Sequence, residues 1–126
     1  MSTKIPDGYQ TVTPYLIIKN AAAFIEFTER VFDAKLISKH MRDETIIMHA
    51  EIKIGDDSII MFADSTEQFS PRPAGFFVYV DNADKTYETA LSNGAVAVTE
   101  ITDQPYGRSG GVEDAFGNTW WLTTAQ

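Results

Sequence analysis

The chain repeats itself once, and this constrains its fold more than any other feature. Three pairs of identical residues lie 62 positions apart and occur in the same order: Asn20 and Asn82, Glu51 and Glu113, Gly55 and Gly117. Each pair falls in corresponding segments of the two halves. Self-similarity of this kind is typical of a chain built from two copies of one supersecondary unit.

The two halves also predict the same order of elements, which is strand, helix and three strands. Runs rich in β-branched and aromatic residues predict the strands, and apolar residues at helical spacing predict the helices. The first half gives a strand over Thr11–Asn20, a helix over Ala21–Phe32 and strands over Lys35–Arg42, Ile46–Ile54 and Ser58–Ala63. The second gives a strand over Gly75–Val80, a helix over Ala83–Asn93 and strands near Ala95–Ile101, Arg108–Asp114 and Thr119–Thr124. Asn20 is the expected N-cap of the first helix, and Gly94 is expected in the left-handed region after the second.

The length of 126 residues suits one α+β domain. We expect module one over about residues 11–64, a proline-bearing linker over about 65–74 and module two over about 75–125. Two helices cannot cover eight strands on both faces. One face of the sheet should therefore pack on the helices, while the other lines something else.

Composition excludes several classes of function. The net charge of −8 opposes nucleic-acid binding. It reflects either solubility or a preference for cationic ligands. The absence of cysteine excludes thiol nucleophiles and zinc–thiolate sites. No run is long and apolar enough to span a membrane, and the N-terminus lacks a signal-peptide core, so we expect a cytoplasmic protein. No Gly-x-Ser-x-Gly nucleophile elbow is present, which argues against nucleophilic catalysis. Walker and dinucleotide motifs are also missing, which argues against nucleotide cofactors.

One segment near the C-terminus resembles a known family. Residues 105–122, PYGRSGGVEDAFGNTWWL, are similar to the G-R-x-G-x-V-x-D-P-F-G-x-x-W ending of bacterial members of the vicinal oxygen chelate superfamily, with Ala115 in place of proline. This superfamily includes glyoxalase I, extradiol dioxygenases and bleomycin- and fosfomycin-resistance proteins. Thr13-Pro-Tyr-Leu, His49-Ala-Glu-Ile and Gly55-Asp match its first-half signatures, so the resemblance covers roughly residues 11–125.

The resemblance implies a fold and a metal-site pattern. Two βαβββ modules would form a curled mixed sheet around a cavity, in a chain that is commonly a homodimer. Family members usually bind one divalent metal through the first and last strands of each module. Those positions fall at Thr13, Gly75 and Trp121, with Ile59 as the repeat partner of Trp121, and none of these side chains suits a divalent cation. We therefore expect no metal and no other cofactor.

His49 and Glu51 leave the question of a site open. They alternate along one predicted strand and so share a face, while Met48, Ala50, Ile52 and Ile54 form the apolar set opposite them. The pair is either an incidental polar strand face, a ligand-recognition site or, with Glu113, a non-standard metal site. His40 is expected to be exposed.

The alternation of side chains predicts a largely aromatic cavity lining with a few polar groups. Its members are Tyr15, Ile17, Met61, Phe77, Tyr79 and Trp121, although aromatic residues in sheets often belong to the core instead. Arg108 lies among glycines, where it would bind either a ligand carboxylate or phosphonate or a neighbouring acidic side chain.

The sequence thus predicts a metal-independent small-molecule-binding protein of the glyoxalase/bleomycin-resistance type. The predicted ligand-binding residues are Tyr15, His49, Glu51, Met61, Phe77, Tyr79, Arg108 and Trp121. The alternative is a lyase, isomerase or dioxygenase of the same superfamily, working through an unconventional metal site or by acid–base catalysis. A third hypothesis is a partner-binding module that uses only the fold.

Overall fold

The computed structural model describes residues 4–126 and confirms the predicted α+β class and the βαβββ order of both halves. The first half consists of β1 (Tyr15–Ile18), α1 (Ala21–Phe32), β2 (Lys35–Met41), β3 (Ile47–Ile54) and β4 (Ser58–Asp64). The second consists of β5 (Gly75–Tyr79), α2 (Ala83–Ser92), β6 (Val96–Gln104), β7 (Gly107–Glu113) and β8 (Thr119–Ala125). Within residues 4–126, no helix is long and apolar enough to cross a membrane.

Each half forms its own four-stranded mixed sheet. The first sheet has the order β1-β4-β3-β2 and the second has the order β5-β8-β7-β6. In both, the first and last strands of the half run parallel, and the remaining pairs are antiparallel. The chain divides into two compact units, of which the first contains Asp33–Arg72 and the chain up to Glu29. The second contains Arg30–Phe32 and Pro73–Gln126.

Asparagine caps start both helices. The Asn20 side chain accepts from the backbone N–H of Ala23 at 3.2 Å, which confirms the predicted N-cap, and Asn82 accepts from Lys85 in the same way at 3.1 Å. Asp64, at the end of β4, accepts from the N–H of Ala21 at 2.7 Å and so fastens α1 to its own sheet.

One face of each sheet is buried and the other is open. In the first unit, Leu16, Ile18 and Phe62 are buried, and the Phe62 ring makes an edge contact with Phe24 of α1 at 5.0 Å. In the second unit, Trp120 is buried and stacks on Phe76 at 4.3 Å. Because side chains alternate along a strand, the residues between these core positions lie on the open faces.

Three strand predictions need correction. β1 begins at Tyr15 rather than Thr11, since the irregular lead-in continues through Pro14. β6 runs to Gln104, three residues further than expected, because its hairpin with β7 turns tightly at Pro105 and Tyr106. Met48 is exposed rather than packed with the apolar set, since a register irregularity between β2 and β3 falls beside it.

The repeat offset also changes along the chain. Asn20 and Asn82 cap their helices and lie 62 positions apart. Tyr15 and Phe77, which precede these caps, are also 62 positions apart. Tyr15 pairs with Met61, however, and Phe77 pairs with Trp121, which is only 60 positions beyond Met61. The structural counterpart of Trp121 is therefore Met61 and not Ile59. By the same register the counterpart of Glu51 is Gly111 and not Glu113, since Glu51 pairs with Met61 and Gly111 with Trp121.

Candidate functional site

The open face of the first sheet brings together four of the predicted ligand-binding residues. Met61 of β4 pairs with Tyr15 on one side and with Glu51 on the other, and His49 lies two residues from Glu51 on the same face of β3. Three neighbouring strands thus supply a phenol, a thioether, a carboxylate and an imidazole. Period-two alternation is the sequence signal that predicted this grouping.

Hydrogen bonds connect these side chains into a chain with Glu51 at its centre. Glu51 is only 8% exposed, and its Oε1 accepts from the Tyr9 hydroxyl at 2.5 Å. Its Oε2 lies 2.8 Å from Nε2 of His49, while Nδ1 of His49 lies 3.1 Å from the Tyr15 hydroxyl. Because an ionised carboxylate only accepts, Nε2 of His49 donates to Glu51, while Nδ1 makes the contact with the Tyr15 hydroxyl.

Electrostatics keep Glu51 ionised. Burial raises the pKa of its carboxyl, but the hydrogen bonds from Tyr9 and His49 and the charges of His49 and His40 lower the pKa by more, so that it lies below the ordinary glutamate value. The carboxylate in turn affects both phenols. Its hydrogen bond raises the pKa of Tyr9, whereas burial and then the charge of Glu51 raise the pKa of Tyr15. Both tyrosines are therefore protonated at neutral pH.

Sequence reasoning missed Tyr9, which lies in the irregular lead-in 42 residues from Glu51. The lead-in passes over the open face of the first sheet, and Gln10 fixes it there by donating from Nε2 to the Ile59 carbonyl at 2.9 Å. The Oε1 atom of Gln10 is buried and has no hydrogen-bond partner among the described residues. No periodicity marks this segment, so only the folded chain reveals its role.

An open cleft of about 520 Å³ lies between the lead-in and the sheet, and we call it the Glu51 cavity. It is lined by Lys4, Ile5, Pro6, Tyr9, Gln10, Thr13, Glu51 and Met61. Mostly apolar walls with a few polar groups are typical of small-molecule sites, and the volume lies within the range of about 300–1,000 Å³ for such sites. His40, which pairs with His49 across β2 and β3, is exposed as predicted.

The open face of the second sheet carries the predicted aromatic residues. Phe77, Tyr79 and Trp121 are 52%, 70% and 38% exposed, so they do not belong to the core of their unit. Phe77 pairs with Trp121 across the strands and makes an edge contact with Tyr79 at 5.3 Å. Gly111 lies beneath the indole, where a Cβ would come within 2.5 Å of Cζ3 of Trp121.

The structure does not bring Arg108 together with the aromatic residues of its sheet. Arg108 pairs with Thr124, which places it on the opposite face from Tyr79 and its partner Thr123. There its guanidinium donates to both carboxylate oxygens of Asp84 in α2, at 2.6 and 3.1 Å, and to Asp103 at 3.0 Å. The structure thus shows pairing with neighbouring acidic residues. Ligand binding by Arg108 stays a prediction without geometric support.

The residues at the family's usual metal-ligand positions do not fit a divalent cation. By register they are Thr13, Met61, Gly75 and Trp121, which offer neither a carboxylate nor an imidazole. Among residues 4–126, no three His, Asp or Glu side chains converge closely enough to hold a metal ion. Glu113, suggested above as a third carboxylate, is exposed at the end of β7.

Comparisons with known proteins agree with the fold. A crystal structure of TioX from Micromonospora sp. ML1 is 22% identical, with a TM-score of 0.75, and the match covers 93% of this chain and 99% of that one. A crystal structure of TnmS3, an antibiotic binding protein from Streptomyces sp. CB03234, is 14% identical, with a TM-score of 0.70 over 94% and 100% of the two chains. At these identities the likeness concerns the fold alone.

Sequence comparison reaches the same family. An uncharacterised protein of Mycobacterium bovis is 27% identical over 122 residues, and the match covers 88% of this chain and 80% of that protein. The model of the Glyoxalase/Bleomycin resistance protein/Dioxygenase superfamily matches residues 10–122, nearly the whole chain. The chain therefore belongs to the glyoxalase/bleomycin resistance protein/dioxygenase superfamily, as its repeat and its C-terminal segment predicted.

Proposed function

We propose that this protein binds a small organic molecule in the Glu51 cavity without the help of a metal ion. The observation that carries the proposal is the buried carboxylate in the cavity wall, held by Tyr9 and His49 at 2.5 and 2.8 Å. A buried, ionised group with fixed donors is a ready polar anchor in an otherwise apolar site. The family residues that would hold a divalent ion are replaced by side chains that do not suit one.

Two further observations support binding as the function. TnmS3, which has the same fold, is described as an antibiotic binding protein. In the second unit, the open sheet face exposes Phe77, Tyr79 and Trp121, whose rings offer flat apolar surface for stacking. We propose that these aromatic side chains make apolar ligand contacts at the open face of their own sheet, and that His49 and Glu51 supply polar contacts at the first sheet.

The proposal is tested by calorimetric titration of compounds that stabilise the protein in a thermal-shift screen of planar aromatic and cationic molecules, all in EDTA. We expect binding in EDTA and a loss of affinity of about tenfold in Glu51→Gln, which weakens a charge-assisted hydrogen bond. Glu113→Gln is the matched control, since it removes an exposed carboxylate at the position expected from the sequence repeat. Ligands that bind only after Ni²⁺, Zn²⁺ or Mn²⁺ is added would contradict the proposal, and so would unchanged affinity in Glu51→Gln.

One specific observation favours a second candidate, an acid–base enzyme of the same superfamily. The carboxylate of Glu51 orients the imidazole of His49, which in turn contacts the half-exposed hydroxyl of Tyr15. Such an arrangement can hold and pass a proton at a defined hydroxyl oxygen. Incubating the protein in D₂O with a carbonyl-containing ligand from the screen tests this candidate. Deuterium incorporation that Tyr15→Phe abolishes would establish it, and unlabelled ligand would leave binding as the function.

We also propose a homodimer. Each sheet ends in an edge strand with exposed apolar side chains, among them Leu36 and Ile37 of β2 and Val96 and Val98 of β6. Uncovered edges of this kind favour pairing with another chain. Light scattering at micromolar concentration should give twice the mass of 14.0 kDa. A monomer under those conditions would disprove the dimer without affecting the binding proposal.

A further inference from the structure

A second cavity of about 330 Å³ lies in the first unit, and we call it the Arg42 cavity. Its lining comes from three places in the chain. β1 contributes Tyr15, the β2–β3 hairpin contributes Arg42 and Met48, and the segment after β4 contributes Thr66 and Phe69. Tyr15, Met48 and Phe69 are each about half exposed, so apolar surface faces the cavity from all three elements.

Backbone hydrogen bonds hold the walls of this cavity in place. In the hairpin, the N–H of Arg42 donates to the Ile46 carbonyl at 2.8 Å. In the segment after β4, the N–H of Thr66 donates to the Phe69 carbonyl at 2.8 Å. The N–H of Phe69 donates in turn to the Thr66 hydroxyl oxygen at 3.1 Å. A site whose walls are already ordered loses less conformational entropy when a ligand binds.

The charges of the lining leave one group available to a ligand. Asp64 uses its two carboxylate oxygens on the backbone N–H groups of Ala21 and Ile47, at 2.7 Å each. Asp43, the chain neighbour of Arg42, accepts from the backbone N–H of Ile46 at 2.8 Å and from that of Thr45. Arg42 is exposed and makes no ion pair within residues 4–126. An arginine beside apolar walls suits a carboxylate, which its planar guanidinium can bind through two hydrogen bonds.

We propose that the Arg42 cavity binds a small aromatic carboxylate, with the ring against Phe69 and Met48 and the carboxylate on the Arg42 guanidinium. A volume near the lower end of the range for ligand sites limits the occupant to a small molecule. A single negative charge also fits better than a phosphate dianion, because the carboxylate of Asp64 lines the same cavity. The site uses other anchoring residues than the Glu51 cavity and does not depend on the proposed function.

Three compounds of the same shape test the proposal: benzoate, benzamide and benzamidinium carry negative, zero and positive charge. Titrations are followed by the NMR shifts of the backbone amides of Ile47, Thr66 and Phe69. We expect benzoate to shift these amides and to bind more tightly than benzamide, with benzamidinium weakest. Arg42→Gln should weaken benzoate about three- to fivefold, as expected for an exposed ion pair. Lys39→Gln, which removes an exposed positive charge on β2 outside the cavity lining, should change the affinity less than about twofold.

Several outcomes would overturn the proposal. These are no shift of the three amides at the highest soluble benzoate concentration, equal affinity for benzoate and benzamide, or equal weakening in Arg42→Gln and Lys39→Gln. Should Arg42→Gln fail to fold, Phe69→Ala takes its place and must weaken benzoate and benzamide alike. Glu51→Gln separates the two cavities, because it should leave benzoate affinity unchanged even if it abolishes binding in the Glu51 cavity.

Discussion

Each half of the chain contains a buried carboxylate, and the two differ in the groups that donate to them. Asp114, 3% exposed, accepts from the backbone N–H groups of Phe116 and Asn118, from the Asn118 amide and from the Trp120 indole at 2.8 Å. Glu51, 8% exposed, accepts from a phenol and an imidazole beside a cavity. The partners of Asp114 are backbone, amide and indole N–H groups fixed in a turn and in the core, whereas those of Glu51 are side chains beside a cavity that can turn toward a ligand. Burial of a charge does not by itself identify a site, but the chemistry of its partners does.

The largest effect should come from removing the structural carboxylate. Asp114→Ala leaves four donors without their acceptor, three of them on buried groups, and we expect a loss of about 3–5 kcal/mol in the free energy of unfolding. Asp114→Asn keeps one acceptor oxygen and should lose less. Urea unfolding followed by tryptophan fluorescence measures both changes. A loss below about 1 kcal/mol in Asp114→Ala would show that the turn holds without the carboxylate.

A second prediction transfers a residue from the open face of the first sheet to that of the second. Gly111→Glu places in the second sheet the residue that the first sheet has at the corresponding position, and its Cβ would collide with Trp121. Since Trp121 is partly exposed and its ring can move, we expect a loss of about 1–2 kcal/mol.

The double variant with Trp121→Met tests the cause of that loss. It recreates the Glu51–Met61 pair of the first sheet, so the cost of Gly111→Glu should fall to about 0.5 kcal/mol or less in this background. If the losses of stability from Gly111→Glu and Trp121→Met simply add in the double variant, then Gly111 is needed for a reason other than the space it leaves for the Trp121 indole.

Much of the fold could be predicted, because it depends on local patterns. Alternation and helical spacing predicted every element, and Asn20 and Gly94 marked helix ends that the structure confirms, with Gly94 at φ 98°. The C-terminal motif identified the family for a structural reason. Its aspartate and tryptophan are the Asp114 and Trp120 that fasten the turn between β7 and β8, so these two residues of the signature encode a turn.

The candidate site was predictable only where it lies on strands. Alternation predicted that Tyr15, His49 and Glu51 share a face, but Tyr9 reaches Glu51 from a segment without periodicity, across 42 residues of chain. The glycines around Arg108 suggested a close approach of ligand. In the structure Gly110 makes room for Ile101 and Gly111 for Trp121, so both serve the packing of their own sheet. A glycine in a strand indicates a close contact at that position, but it does not identify the group that makes the contact.

The smallest effect concerns the pH dependence that Glu51 gives to stability. Because its pKa in the folded protein is lowered, Glu51 stabilises the fold above the ordinary glutamate pKa of 4.5, and this contribution disappears as the pH falls through the lower folded value. Glu51→Gln should therefore lose about 1 kcal/mol at pH 7 and converge on the wild type in acid.

Urea unfolding between neutral and acidic pH measures the difference between the two proteins, with Glu113→Gln as the control for the change in net charge. A constant difference across this range would show that Glu51 acts by packing alone. A difference that vanishes in acid would establish that the ionised carboxylate is what Tyr9 and His49 hold in the first sheet. The carboxylate would then be present in the free protein, already placed for a ligand that replaces one of its two donors.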